Sequence, residues 1–69
     1  MRNPDRIQPF CDEFAKIWKE KFPDLRFGQL ISNFMGWAVS KNKCADIFFP
    51  EDNKWIEWLK EYAEENSKW

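Results

Sequence analysis

Three polar residues, Arg26, Gln29 and Asn33, occur in the stretch RFGQLISN at a spacing that places them on one side of a helix. At 100° per residue they fall within a sector of about 60°. Side chains of these types read base edges in the major groove of DNA. They also follow a predicted helix and a short connection, FPDL, as the second helix of a helix-turn-helix does.

Local pairing is the other interpretation of this polar set, and we favour it because the chain has no strong basic footprint of a nucleic-acid binder. In that interpretation Arg26 pairs with an acid such as Asp24 or Glu51. Gln29 and Asn33 then form hydrogen bonds with the backbone of neighbouring loops.

An aromatic ridge is predicted on the last helix, formed by Trp58, Tyr62 and Trp69, although Tyr62 also suits the inner face. Acids border it, among them Glu61 and Glu65. Tryptophan is a preferred anchor of protein interfaces, and an acidic border suits a basic surface on a partner. The alternative is that the aromatic residues pack in the core. We favour Trp58 as the contact residue because it lies at the edge of the predicted inner face.

Enzymatic and metal chemistry have little support in the sequence. The chain has no histidine, which excludes a Ser-His-Asp triad and any imidazole zinc site, and two cysteines cannot complete a four-thiolate site. Asp46, Glu51 and Asp52 lack the spacing of a calcium loop, and capping of helices explains them. We therefore predict no catalytic, cofactor-binding or metal-binding residues and no enzymatic activity.

Composition predicts one small folded domain. The chain has 69 residues, of which five are tryptophan and seven are phenylalanine, and each aromatic side chain buries roughly 150–250 Å². Residues 1–45 hold eight basic and five acidic residues, whereas 46–69 hold three and seven. The sequence shows no targeting segment and no membrane span, so we expect a cytoplasmic protein. Both cysteines are expected to be reduced thiols, with Cys11 as a small core residue.

Apolar spacing predicts an all-α fold, a compact bundle of three main helices at about 9–22, 25–36 and 51–66. The first helix carries Pro9 in its first turn, and Asp24 is the expected N-cap of the second. Residues 37–45 read as a loop. A short helical turn is predicted between that loop and the last helix.

Gly28, Ser32 and Gly36 recur every four residues of the second helix and form a small-residue ridge. Such a ridge allows another helix to approach closely. The alternative is that Gly36 simply ends the helix as a C-cap.

Two motifs, PDLRFGQLISN at 23–33 and DIFFPED at 46–52, resemble those of a small uncharacterised family of bacterial and phage helical proteins. Arg6-Ile7 and Trp18 also match this family, so the resemblance covers most of the chain. It implies a compact helical domain and no particular activity.

The functional prediction is a small non-enzymatic protein-interaction module, such as a phage-type modulator or inhibitor of a host protein. Its partner would be a protein with a basic surface, or a second copy of the chain. The alternative is a small helix-turn-helix nucleic-acid binder. No membrane partner is expected.

Overall fold

The computed structural model describes residues 2–66, which form three α-helices: α1 (Ile7–Lys21), α2 (Phe27–Ser40) and α3 (Asp52–Asn66). No strand occurs within this range. The predicted all-α class is confirmed. A single 3-10 turn, Pro4–Arg6, precedes α1, so Pro9 lies in the first turn of α1, where its missing N–H is not needed.

The connection between α1 and α2 is a tight turn. The Leu25 N–H donates to the Phe22 carbonyl (3.2 Å), and a proline and Asp24 occupy the two central positions, which suits both residue types. The prediction that Asp24 caps α2 is therefore wrong. The N-cap is Arg26, whose backbone N–H donates to the Gln29 side-chain oxygen (2.8 Å).

Helix α2 continues four residues past its predicted end, so residues 37–40 are helical and not part of a loop. The helix ends at Ser40, with Lys41 as its C-cap. Asn42 follows with a φ of 59°, a left-handed conformation that asparagine tolerates better than most residues. The Lys43 N–H donates to the Ala38 carbonyl (2.9 Å) and the Asn42 N–H to the Val39 carbonyl (3.0 Å). This bonding is a Schellman motif, and it shows that Gly36 is not the C-cap.

The segment before α3 forms a turn where a short helix was predicted. The Asp46 side chain accepts a hydrogen bond from the Phe48 backbone N–H (2.9 Å), but Pro50 has no N–H to donate to the Asp46 carbonyl as an α-helical turn would require. Pro50 disfavours a helical conformation for Phe49, the residue before it. Helix α3 therefore begins only at Asp52.

Helix α3 lies against both other helices. It packs on α1 and on α2, but no Cα of α1 lies within 8 Å of a Cα of α2. The first two helices meet only through side chains near their shared turn. The Trp18 indole N–H donates to the Leu25 carbonyl (3.0 Å), and the Trp18 and Phe27 rings lie 6.0 Å apart.

The core lies where α3 meets the two other helices. Phe34 and Tyr62 are at its centre, with ring centroids 5.6 Å apart, and Phe22 stacks on Tyr62 at 5.5 Å. Burial raises the pKa of the Tyr62 phenol above its usual value. The buried apolar residues are Ile17, Phe22, Leu30, Phe34, Ala38, Leu59, Tyr62 and Ala63.

Cys11 is exposed, which corrects its predicted place in the core. The apolar arc of α1 is wider than the strip that α3 covers, so Cys11 and Ala15 at the edge of the arc face outward. Cys44 is half-buried in the loop after α2, and both thiols are free.

The small-residue ridge on α2 has no helix against it. Gly28, Ser32 and Gly36 are all exposed, and a Cβ added at either glycine would meet no heavy atom within 4 Å. The predicted close approach of another helix is therefore wrong for this chain, because α3 packs on the opposite side of α2, at Leu30 and Phe34.

Gly36→Ala is expected to stabilise the protein by about 1 kcal/mol, because glycine in a helix interior costs about that much relative to alanine. Urea denaturation followed by circular dichroism measures the change. Ser32→Ala is the matched control on the same exposed side of α2, with a smaller expected gain. A loss of stability in Gly36→Ala would show that this side of α2 is covered.

Candidate functional site

An apolar groove opens where α1 and α2 diverge above α3. It has a volume of about 360 Å³. Its existence follows from the helix arrangement, because α3 holds α1 and α2 apart and only side chains fill the space between them. All the residues that line it are apolar: Phe10, Phe14, Phe27, Ile31, Phe34, Met35, Trp55, Ile56 and Leu59.

The rim and the floor of the groove are held by different contacts. Phe27, the first residue of α2, is 57% exposed at the rim, and its ring lies edge-on to Phe14 at 6.4 Å. Leu59 of α3 is fully buried and lies in the floor of the groove. Trp55 is held edge-on against Phe34 at 5.6 Å. The groove therefore has a rigid floor and an exposed aromatic rim.

The chemistry available in the groove is burial of apolar surface. Among residues 2–66, the Trp55 indole is the one hydrogen-bonding side chain in the lining, and no titratable side chain of this range lies there. Its volume lies at the lower end of the range of pockets that enclose ligands or side chains, roughly 300–1,000 Å³. It is suited to receive apolar side chains.

A second apolar feature is the aromatic tip, which we define as Ile47–Phe49 in the loop before α3. Phe48 is 80% exposed and Phe49 is 73% exposed, the two largest exposures among the large apolar residues of the described chain. Their rings lie edge to face, with centroids 5.0 Å apart. The tip is therefore an exposed aromatic projection.

The predicted ridge on α3 is only partly available. Trp58 is half-buried, packs against the core and lies edge-on to Trp55 at 5.1 Å. Trp69 lies outside the described residues. The role of this ridge in binding a partner stays a prediction.

The acids of the ridge already have partners within the chain. Glu61 accepts a hydrogen bond from the Lys43 ammonium (2.9 Å), and Glu65 accepts one from the Trp37 indole N–H (3.2 Å). Lys41 lies 3.9 Å from Glu65. A basic partner would have to replace these contacts, which join the end of α2 to α3.

The polar set of α2 is exposed. Gln29 forms the local backbone bond that the sequence predicted, to Arg26. Within residues 2–66, Arg26 forms no ion pair, since Glu51 pairs with Arg2, so the predicted pairing of Arg26 is wrong. The Asn33 side chain forms no hydrogen bond with the described part of the chain, which corrects its predicted bond to a loop.

The acids near the start of α3 serve local structure. The Arg2 guanidinium binds Glu51 through two nitrogens and holds the pKa of that carboxyl below its usual value. Arg6 pairs with Asp52 (2.9 Å). These contacts tie the residues before α1 to α3. Among the residues that the structure describes, no three carboxylates or thiols converge as a metal site would require.

A larger groove between α1 and α3, about 550 Å³ in volume, has mixed charge. It is bridged by the ion pair of Lys60 with Glu13 (3.0 Å). Its charged residues are Glu13, Lys16, Glu20, Lys21, Lys60 and Glu64. The two signs are balanced, so the groove has no preference for a ligand of either charge.

Comparison with protein-family models, with curated proteins and with solved structures finds no match for this chain. The resemblance of its two motifs to a bacterial and phage family stays a prediction. None of the helices in residues 2–66 has both the length and the apolar character needed to span a membrane. The candidate site therefore rests on geometry: the apolar groove and the aromatic tip.

Proposed function

We propose that this protein is a non-enzymatic interaction module that docks apolar side chains of a protein partner in the groove between α1 and α2. The observation that carries the proposal is the groove lining, which is apolar throughout and has the exposed Phe27 ring at its rim. An apolar cleft that opens to solvent is a typical place for a ligand or a partner side chain to bind. The lining offers no group that could perform acid–base or nucleophilic chemistry.

The groove supports docking better than the ridge on α3 does. Its lining has unfilled volume, whereas Trp58 rests on Trp55 and the core. Glu61 and Glu65 are bonded within the chain. Aromatic residues around an open pocket are common anchors of interfaces, and the exposed Phe27 and the half-buried Trp55 supply them here.

The chemistry of the lining indicates the class of partner. An apolar pocket with no fixed charge does not select ionic ligands. Binding of an apolar group there is stabilised by about 25 cal/mol for each Å² of apolar surface that is removed from water. One seated aromatic side chain buries roughly 150–250 Å². We therefore expect the partner to be a protein segment that inserts one or two large apolar side chains into the groove.

Phe27→Glu is expected to abolish docking while the fold is retained. A carboxylate at the rim would lose its hydration when an apolar side chain is seated, and this loss is costly without a partner charge. At the first position of α2 a glutamate is favourable to the helix. Binding of an apolar fluorescent dye to the purified protein measures the groove directly, with the variant expected to bind at least about tenfold more weakly.

Val39→Glu is the matched control. Val39 is on the same helix, is 44% exposed and lies outside the groove, and the substitution changes the net charge equally. Affinity capture with the three proteins as bait should retain a groove partner on wild type and Val39→Glu but not on Phe27→Glu. Equal dye binding by Phe27→Glu and Val39→Glu would contradict the proposal.

Nucleic-acid binding through α2 is the alternative, and one observation favours it: Arg26 and Asn33 are exposed and unengaged within the described chain. Nucleic-acid binding differs from docking in the groove in its salt dependence, because the affinity of basic side chains for phosphates falls as the salt concentration rises. Salt-sensitive retention on heparin, unchanged in Phe27→Glu, would favour this alternative.

A further inference from the structure

Building on the proposed function, we infer that the occupant of the groove is the aromatic tip of a second copy of this chain. One face of the molecule has an empty apolar pocket, and another part of the same molecule has an exposed apolar projection. The inference joins these two features into a reciprocal dimer. Each copy inserts Phe48 and Phe49 into the groove of the other.

The tip has the properties of an interface anchor. Phe48 and Phe49 are 80% and 73% exposed, and their rings are already arranged edge to face at 5.0 Å. The Asp46 carboxylate holds the Phe48 N–H (2.9 Å), and Pro50 restricts the backbone of Phe49. A projection that is ordered before binding loses less conformational freedom when it is seated.

The area of the proposed contact is that of a weak, reversible dimer. The two rings of one tip expose on the order of 300 Å², given the usual area of an aromatic side chain. A reciprocal dimer seats two tips, so the tips alone bury about 600 Å², to which the groove walls add a smaller area. The total lies below the range of about 1,200–2,000 Å² for stable specific interfaces and is typical of transient contacts.

Reciprocal exchange is also the arrangement that closes. When each copy donates one tip and accepts one, the interface has two-fold symmetry and no groove or tip is left over. The tip and the groove belong to neighbouring parts of the chain, because Phe49 is six residues before Trp55 of the groove wall.

Charge favours a second copy over a lipid surface as the occupant. The segment 46–52 that carries the tip contains no basic residue. Of its acids, Glu51 and Asp52 pair with Arg2 and Arg6, which leaves Asp46 without an ion pair in the described chain. Anionic lipids attract basic segments, and this segment is not one. The rim of the groove has the opposite sign next to Phe27, since Arg26 is exposed and forms no ion pair in the described chain. Asp46 of one copy is thus suited to approach Arg26 of the other.

Sedimentation equilibrium of the purified chain over a dilution series tests the inference. Wild type is expected to dimerise reversibly. The tip variant, Phe48→Ser with Phe49→Ser, and the groove variant, Phe27→Glu, are each expected to raise the dissociation constant about 30-fold or more, as loss of an interface anchor does. Val39→Glu should remain within about threefold of wild type.

Mixing the two defective variants gives the sharper measurement. The tip variant retains an intact groove and Phe27→Glu retains an intact tip, so the pair can form one of the two contacts. A fluorescently labelled tip variant should therefore associate with Phe27→Glu and with neither itself nor a copy that carries all three substitutions. Circular dichroism checks that each variant is folded.

The outcomes separate the inference from the proposed function. A wild type that stays monomeric, with dye binding still lost only in Phe27→Glu, would overturn the dimer and leave the groove to another protein. A dimer that neither variant weakens would overturn the pairing of tip and groove. Binding of the tip to lipid vesicles without self-association would assign the tip to a membrane and also overturn the dimer.

Discussion

Phe34→Ala is expected to lower the free energy of unfolding by about 3–5 kcal/mol, the usual cost of removing a buried aromatic ring. Phe34 is 3% exposed and contacts the rings of Trp37, Trp55 and Tyr62 at 6.1, 5.6 and 5.6 Å. Its removal leaves a cavity between α2 and α3 that these large side chains cannot fill without changing rotamer. Because small domains have a stability of only a few kcal/mol, a substantial fraction of the variant should be unfolded at 25 °C.

Urea denaturation monitored by circular dichroism measures this loss. Phe48→Ala removes the same atoms from a side chain that is 80% exposed and should change stability by no more than about 0.5 kcal/mol. Phe34→Leu keeps most of the volume and provides a folded intermediate case if the alanine variant is unfolded in buffer. Equal stability of Phe34→Ala and Phe48→Ala would contradict the packing described for the core.

Trp18→Ala is expected to cost about 3 kcal/mol, at the lower end of the range for tryptophan truncation because the ring is only half-buried. The ring contacts Phe14 at 5.7 Å and Phe27 at 6.0 Å. Its indole N–H also bonds the Leu25 carbonyl (3.0 Å), within the turn between α1 and α2. Loss of the ring therefore loosens both the packing of α1 and the position of the start of α2.

Trp18→Phe separates these two contributions. It retains an aromatic ring but removes the donor, so it should cost about 1 kcal/mol for the hydrogen bond plus a small packing loss. Thermal melts of wild type, Trp18→Phe and Trp18→Ala give the order. If both variants melt like wild type, the indole does not hold the turn and the contact between α1 and α2 depends on other residues.

The helices themselves were predictable because each has a clear apolar side. The inner face of α3 was assigned from spacing, and Leu59, Tyr62 and Ala63 are buried there. The error at the end of α2 has a physical cause. Polar residues at 40–43 suggested a loop, but Asn42 adopts the left-handed conformation that follows a helix end, and α2 therefore ends four residues later than predicted.

The packing partners were not predictable in the same way. Periodicity shows which side of a helix is apolar but not how much of that side a neighbour covers. Phe27 and Leu30 both belong to the apolar side of α2, yet Phe27 is 57% exposed and Leu30 is fully buried. The two residues differ in exposure because α1 does not approach α2 closely. This separation depends on how the helices pack in three dimensions, which the spacing of apolar residues does not specify.

The candidate site lay partly within reach of the sequence. Two adjacent phenylalanines between Asp46 and Pro50 cannot both face inward in a short turn, and this signal could have identified the aromatic tip. No sequence signal indicated the groove. Its lining residues come from three helices, and in each helix they lie on the apolar side, as core residues do. The acids at 61 and 65 looked available because the lysines that reach them are about 20 residues away in sequence.

The central position of α3 has a consequence for the order in which the protein acquires its structure during synthesis. Helices α1 and α2 leave the ribosome before α3 and make no backbone approach to each other, so the nascent chain exposes the apolar sides of both until residues 52–66 emerge. Domains generally fold as units once their last element is available. The first two helices are thus expected to need protection by a chaperone, or rapid completion of the chain, more than a helical hairpin of the same length would.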